Sequence, residues 1–167
     1  MKRLSLILAC AVLWVATGCS PKKKEVPEAV KAEAGMYYSE AEFAMQIREF
    51  ARAEELIQRA IKLNDDVPEY WVRLGMVRRK QENKDGARKA YKQALELHSA
   101  HYKKTKEPKE LAQQAFVLAL LGRTDEALKL LEKGLKDHPD SPEMKKLADP
   151  RGFPRTFQNP QFKELTV

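Results

Sequence analysis

Residues 68–101, PEYWVRLGMVRRKQENKDGARKAYKQALELHSAH, decide the fold because they form one unit of an internal repeat. Ala53 and Ala60 return 34 residues later as Ala87 and Ala94, without a gap. A period of this length is typical of helical units that bury their apolar faces only against neighbouring units. The sequence therefore predicts an extended binding surface rather than a catalytic pocket.

The size and composition of the chain indicate a single helical domain. Its 167 residues are 43% hydrophobic and 33% charged. One domain usually takes roughly 100 to 200 residues, so one packed solenoid is expected and two independent cores are not.

Three units follow one another, and each is predicted to be a pair of antiparallel helices. The units span residues 34–67, 68–101 and 108–141. Residues 142–148 are expected to cap the third unit, which completes a repeat domain over 34–148, and residues 149–167 form an irregular tail. The phenylalanines of that tail are expected to pack on the last helices. The predicted fold class is an all-α helical solenoid of about three helix pairs.

The middle unit resembles the tetratricopeptide repeat. The residues that fall on the family's signature positions are Trp71, Leu74, Gly75, Ala87, Tyr91, Ala94 and Leu97. Gly75 and Ala87 are small, so the two helices of a unit can approach closely, whereas Trp71 and Tyr91 are expected to fill the wedge between successive pairs. The first unit departs from the pattern at Glu40 and at residues 50–52, where a polar turn is usual.

The resemblance also implies where a partner binds, because in the family the first helix of each unit lines a concave groove. The residues predicted to face this groove are Tyr38, Glu42, Met45, Val72, Met76, Arg79, Ala112, Phe116 and Leu120. Several of them could instead complete the core between helices. Family members that hold chaperone C-termini use a clamp of basic and amide side chains, which matches this chain only at Lys109, so that ligand is rejected.

The first residues are predicted to be an export signal. A cationic start and the apolar run 4–15 precede Ala16-Thr17-Gly18-Cys19, which resembles the lipobox of bacterial lipoproteins. The apolar run is shorter than the roughly 20 residues of a spanning helix. Residues 1–18 are therefore interpreted as a lipoprotein signal peptide, with Cys19 as the lipidated mature N-terminus and residues 19–33 as a tether. The resemblance implies the outer membrane, because Ser20 stands where an acidic residue signals inner-membrane retention.

The charge of the chain indicates no binding partner other than a membrane surface. Without Lys2 and Arg3, 29 basic residues stand against 24 acidic ones, a formal charge of +5. Residues 22–24 are lysines that would lie against anionic headgroups. The other lysines are not interleaved with aromatic residues, which argues against nucleic-acid binding.

No pattern for catalysis or for a cofactor is present in the sequence. It contains no Gly-rich phosphate loop, nucleophile elbow or His-Glu-x-x-His helix. His98 and His101 share a helix face, but a zinc site needs a third protein ligand. No enzyme activity, cofactor or metal is predicted.

Six extra residues, 102–107, separate the second and third units and are expected to lengthen the second unit's last helix. They carry Lys103, Lys104 and Lys106, which form either a tolerated surface insertion or a basic knob for an acidic partner. Both interpretations stay open at this point.

The predicted function is a lipid-anchored adaptor that holds a periplasmic or membrane protein near the outer membrane. Two alternatives share the same anchor and groove. One is a pilotin-like factor that carries a secretin subunit during pilus or secretion assembly, and the other is an accessory subunit of cell-wall enzymes.

Overall fold

The computed structural model of the chain describes residues 25–149 and 151–167. The predicted signal peptide (residues 1–18) and the first part of the predicted tether (residues 19–24, with Cys19 and the lysines at 22–24) lie outside the described residues. Within these two ranges the structure contains nine α-helices and no strand. In chain order they are α1 (Glu28–Gln46), α2 (Phe50–Leu63), α3 (Pro68–Lys80), α4 (Lys84–Thr105), α5 (Pro108–Leu120), α6 (Thr124–Asp137), α7 (Pro142–Ala148), α8 (Phe153–Gln158) and α9 (Pro160–Lys163).

The first six helices form three pairs, α1 with α2, α3 with α4 and α5 with α6. Each pair is joined by a short turn that contains one left-handed residue, at Arg48 (φ 62°), Glu82 (φ 65°) and Gly122 (φ 74°). In each turn the amide that follows this residue donates to a carbonyl five residues earlier, as from Glu49 to Ala44. Turns this short fold consecutive helices back as antiparallel neighbours. The all-α solenoid of three helix pairs is confirmed.

The two helices of the second pair meet at the predicted small residue. Tyr91 is completely buried, and a Cβ atom built on Gly75 would overlap its ring. Trp71 packs against the core of the first two pairs and against that of the last two, and its indole N–H donates to the Asp65 carbonyl (2.9 Å). Trp71 therefore packs between successive pairs, as predicted, whereas the contact of Tyr91 with Gly75 lies within the second pair.

The two ends of the solenoid differ. At the N-terminal end, α1 leaves Met36, Phe43 and Ile47 exposed. At the C-terminal end, α7 buries Met144 completely against Gly134, and its N-terminus is capped by Ser141 Oγ, which accepts from the Met144 amide (3.2 Å). Among the described residues, the third unit therefore has a cover and the first has none.

Some boundaries differ from the predicted ones. Helix α1 begins at Glu28, so the last stretch of the predicted tether, residues 28–33, is already helical. Residues 50–52 form the first turn of α2, and the turn that they were expected to replace lies at 47–49. Helix α4 continues to Thr105 and ends at Lys106 in the left-handed conformation, as the insertion suggested. The tail contains two short helices, α8 and α9, and is more regular than expected.

A search of the described residues for a membrane-spanning helix finds none with the required length and apolarity.

Candidate functional site

Helices α1, α3 and α5, the first helices of the three units, line one face of the solenoid, and two cavities open on it. The smaller, of about 200 Å³, is lined by Tyr38, Glu69, Val72, Arg73, Met76, His98, Gln113 and Phe116. The larger, of about 550 Å³, is lined by Met45, Gln46, Arg48, Phe50, Arg73, Met76, Lys80, Glu164 and Leu165. Because Arg73 and Met76 line both, the cavities adjoin. We call this continuous depression the trough.

An ion pair crosses the floor of the trough from α1 to α3. The Arg73 Nε lies 2.6 Å from Glu42 Oε1 and also donates to the Tyr38 hydroxyl (3.3 Å). Burial raises the pKa of Tyr38, and the Arg73 guanidinium offsets part of this rise. Both charges keep about a third of their side-chain surface exposed, 37% for Arg73 and 35% for Glu42. They can therefore exchange partners with a bound ligand.

The tail covers the α5 side of this face through a cluster of phenylalanines. The ring of Phe116 lies 6.1 Å from that of Phe153 and 5.6 Å from that of Phe162, measured between centroids. Phe157 packs on both of these tail residues and is buried with Phe162. The expectation that the tail aromatics pack on the preceding helices is met. Phe116, which was predicted as a groove residue, thus has one side occupied by the chain's own tail.

The last four residues, 164–167, continue from this cluster along α3 and α5, and we call them the strap. The hydroxyl of Tyr91 donates to the Leu165 carbonyl (2.9 Å), and the amide of Val167 donates to the Leu120 carbonyl (3.0 Å). Burial raises the pKa of Tyr91 strongly, so this hydroxyl keeps its proton as a donor.

Two cations of α3 bind the same strap. Arg79 Nε donates to the Thr166 carbonyl (2.5 Å), and Lys80 Nζ lies 2.8 Å from Glu164 Oε2. The Lys80 ammonium lowers the pKa of the Glu164 carboxyl. Arg79 was predicted to face an open groove, but the strap covers it.

The structure divides the predicted groove residues into two groups. Tyr38, Met45 and Val72 line the trough and are partly exposed, and the partly exposed Glu42 is paired with Arg73 of the lining. Met76 lines both cavities, although only 7% of its surface is exposed.

The other predicted groove residues are corrected by their burial. Ala112 is 2% exposed and Leu120 is not exposed at all, so neither can contact a partner in this conformation. The reason is that α5 is enclosed by α4, α6 and α7, and the strap binds the Leu120 carbonyl.

On the first helices, the smaller cavity is also lined by Glu69, Arg73 and Gln113, which were not predicted as groove contacts. Glu69 and Arg73 lie seven and three residues before Met76 on α3, a spacing that places all three on one helix face. The helical period around Met76 could therefore have identified them. Nothing in the period of α5 indicated that the tail would leave Gln113 accessible while it covered Phe116.

His98 reaches the smaller cavity from α4, behind the first helices. It is 1% exposed, and its Nδ1 lies 2.7 Å from Glu110 Oε2. Its Nε2 is buried without a hydrogen-bond partner among the described residues. Over the same residues, no three His, Cys, Asp or Glu side chains are grouped so that they could hold a metal ion.

Stacked antiparallel helix pairs with a trough along their first helices define a helical-repeat interaction module. Two family models, both described as tetratricopeptide repeat, match the chain over residues 38–101 and 108–148, together more than half of it. The chain belongs to the tetratricopeptide repeat family, whose domains bind protein or peptide partners.

Two solved structures are similar to the chain. The crystal structure of MamA is 25% identical, with a TM-score of 0.43, and the match covers 64% of this chain and 58% of MamA. The N-terminal domain of stress-induced protein-1 (STI-1) from C. elegans is 13% identical, with a TM-score of 0.47, and the match covers 80% of this chain and 100% of that domain. No curated protein matches the sequence significantly.

Proposed function

We propose that the protein is an adaptor whose trough binds a segment of a partner protein. The observation that carries the proposal is that the trough stays open between α1, α3 and the strap, although the tail covers the rest of this face. A cavity of about 550 Å³ is large enough for one or two bulky side chains, and it is open to solvent on the side of Arg48 and Gln46.

The lining suits a segment that carries both apolar and charged groups. Met45, Phe50 and Met76 offer an adaptable apolar surface, since methionine side chains adjust to different shapes. Arg73 and Glu42 lie between the two cavities and can form hydrogen bonds with a peptide backbone or with its charged side chains. Such a combination is typical of grooves that bind an extended or helical peptide.

We further propose that the adaptor acts in the bacterial cell envelope, anchored by lipid on Cys19. The proposal is supported by the order of the first residues, in which an apolar run and Ala16-Thr17-Gly18 precede Cys19, and by the lysines at 22–24. The partner is then a periplasmic or membrane protein close to the outer membrane.

Crosslinking in intact cells followed by mass spectrometry tests the adaptor function. The wild type is compared with a Val72→Glu, Gln113→Glu variant, which adds charge to the trough at two partly exposed positions. The matched control is Lys89→Glu, Lys92→Glu, at two exposed positions on α4. We expect partners that are lost only in the trough variant. Recovery of the same partners from all three proteins would contradict the proposal.

The identity of the partners lost in the trough variant separates the pathways. A secretin subunit would indicate a pilotin-like factor, and a hydrolase or synthase of peptidoglycan would indicate an accessory subunit of cell-wall enzymes. Loss of any other envelope protein would indicate the general adaptor function rather than these two alternatives.

The lipid anchor is tested separately by Cys19→Ser. We expect this variant to lose the incorporation of labelled fatty acid and to remain unprocessed by the lipoprotein pathway. Labelling that persists in the variant would contradict the assignment of Cys19.

A further inference from the structure

The strap is held in the manner of a bound peptide. Three of its hydrogen bonds are made by its main chain, at the carbonyls of Leu165 and Thr166 and at the amide of Val167, whereas Glu164 is bound through its side chain. Hydrogen bonds to main-chain carbonyls do not depend on the side chains of the bound segment. The site therefore selects a segment mainly by the charge opposite Lys80 and by the shape of the side chain in the place of Leu165. A segment from another protein could make the same contacts.

We propose that the strap occupies the binding site of a partner segment. The partner displaces residues 164–167 with an extended segment of its own, which carries an acidic residue followed by a large apolar one. This inference rests on the proposed function and names the chemistry of its ligand. Phe157 and Phe162 stay in their buried cluster and keep the rest of the tail in place.

The acidic residue is required by the two cations. Once the strap leaves, Arg79 and Lys80 lose the Thr166 carbonyl and the Glu164 carboxylate, and no other hydrogen bond or ion pair to their side chains is seen in the described residues. An adjacent pair of cations on one helix end repels other cations and attracts an acidic segment.

The apolar residue is required by the cavity beside the strap. Leu165 is partly buried and lines the larger cavity with Met45 and Met76, but it leaves about 550 Å³ open. A longer apolar side chain in the place of Leu165 would fill more of this space than leucine does. A partner segment can therefore bind more tightly than the strap. Displacement of the strap requires this difference in affinity.

The charged contact of the strap is weak. The ion pair of Lys80 and Glu164 is largely exposed, with side-chain exposures of 37% and 64%, and exposed ion pairs contribute little. The hydrogen bonds from Tyr91 and Arg79 and the one to the Leu120 carbonyl must also break, and a partner segment in the same place would form them again.

The test uses the full chain and a fluorescein-labelled peptide of residues 159–167. A Glu164→Ala, Leu165→Asp variant loosens the strap without altering its binding site. We expect the peptide to bind this variant at least tenfold more tightly than it binds the wild type, in which the strap competes. The matched control is Arg155→Glu, at an exposed tail position outside the strap, which should bind as the wild type does. Equal affinity for the loosened variant and the wild type would overturn the proposal.

A charge exchange distinguishes binding at Lys80 from binding elsewhere. Adding Lys80→Glu to the loosened variant should weaken binding of the wild-type peptide by roughly three- to fivefold, the range that an exposed ion pair allows, whereas a peptide with Glu164→Lys should regain most of that loss. Misfolding would abolish binding of both peptides, so the rescue reports on the contact itself. Absence of any effect of Lys80→Glu, or absence of rescue, would overturn the assignment.

The two proposals fail in different ways. If the peptide does not compete with the strap while Val72→Glu, Gln113→Glu still loses partners in cells, only the inference about the strap is wrong. If the trough variant loses no partner while the peptide binds as described, the proposed adaptor function is wrong and the strap is an intramolecular clasp alone.

Discussion

At the scale of single residues, the fold depends on the contact between Gly75 and Tyr91. The ring of Tyr91 lies where the side chain of any residue other than glycine at position 75 would begin. The same ring carries the hydroxyl that binds the strap. One aromatic side chain therefore connects the packing of the second helix pair to the site on the trough face.

Gly75→Leu should force α3 and α4 apart, because the added side chain overlaps the Tyr91 ring. We expect the free energy of unfolding to fall by about 1 to 3 kcal/mol, the usual cost of overpacking. Gly35→Ala is the matched control, since no atom lies within 4 Å of a Cβ placed there. Helix propensity should raise its stability by roughly 0.5 to 1 kcal/mol. Urea denaturation measures both, and an unchanged midpoint for Gly75→Leu would contradict the observed packing.

Tyr91 also causes the stability of the folded state to fall at alkaline pH. Burial raises its pKa in the folded state above the value of about 10 that it has in an unfolded chain. The folded state therefore favours the neutral phenol, so this stabilisation is complete below about pH 10 and is lost as the pH rises further. Tyr91→Phe should lose stability less steeply than the wild type between about pH 9 and about pH 11. Parallel pH profiles in urea denaturation would contradict this.

His98 and Glu110 form a buried pair that the sequence did not predict. Glu110 is the hydrogen-bond partner of the imidazole, whose Nε2 already lacks one within the described chain. Glu110→Ala should therefore cost about 1 to 3 kcal/mol, because it leaves a second buried nitrogen without a partner. Glu107→Ala, three residues earlier and exposed, is the control. Equal thermal midpoints for the two variants would show that the pair contributes nothing.

At the scale of elements, the helices of the repeat could be predicted and the course of the tail could not. Ala53 and Ala87 lie one period of the repeat apart, and Trp71 occupies one of its signature positions. Neighbouring units impose the same packing on each copy of the repeat. The residues of the strap are not part of the repeat pattern. Its place is decided by Arg79, Lys80 and Tyr91, which lie more than 70 residues away along the chain.

Helix α7 has the role of a cap, and its stability contribution can be measured at one residue. Met144 is fully buried against Gly134 and Leu111 of the third unit. Met144→Ala should lower the free energy of unfolding by about 2 to 5 kcal/mol through loss of buried surface and creation of a cavity. Lys145→Ala, at the exposed neighbouring position, should change it by less than about 0.5 kcal/mol. Similar effects of the two substitutions would contradict the capping role.

At the scale of the whole molecule, the described residues cover the C-terminal end of the solenoid and leave apolar side chains exposed at the other. The same left-handed turn recurs in each unit, so the three first helices follow one another on a single face. The tail then covers the α5 part of that face and leaves the part between α1 and α3 open. The repeat period predicted a binding surface, but the tertiary course of the tail determines how much of it a partner can reach.

The central claim is that the trough is the surface that binds a partner, and site-specific photocrosslinking tests it most directly. A photoreactive amino acid is placed at Val72 or Gln113 in the trough, and at Lys89 or Glu96 on the exposed surface of α4. We predict that a partner is captured in intact cells from the two trough positions and not from the two α4 positions. Capture with equal yield from all four positions, or from α4 alone, would contradict the account.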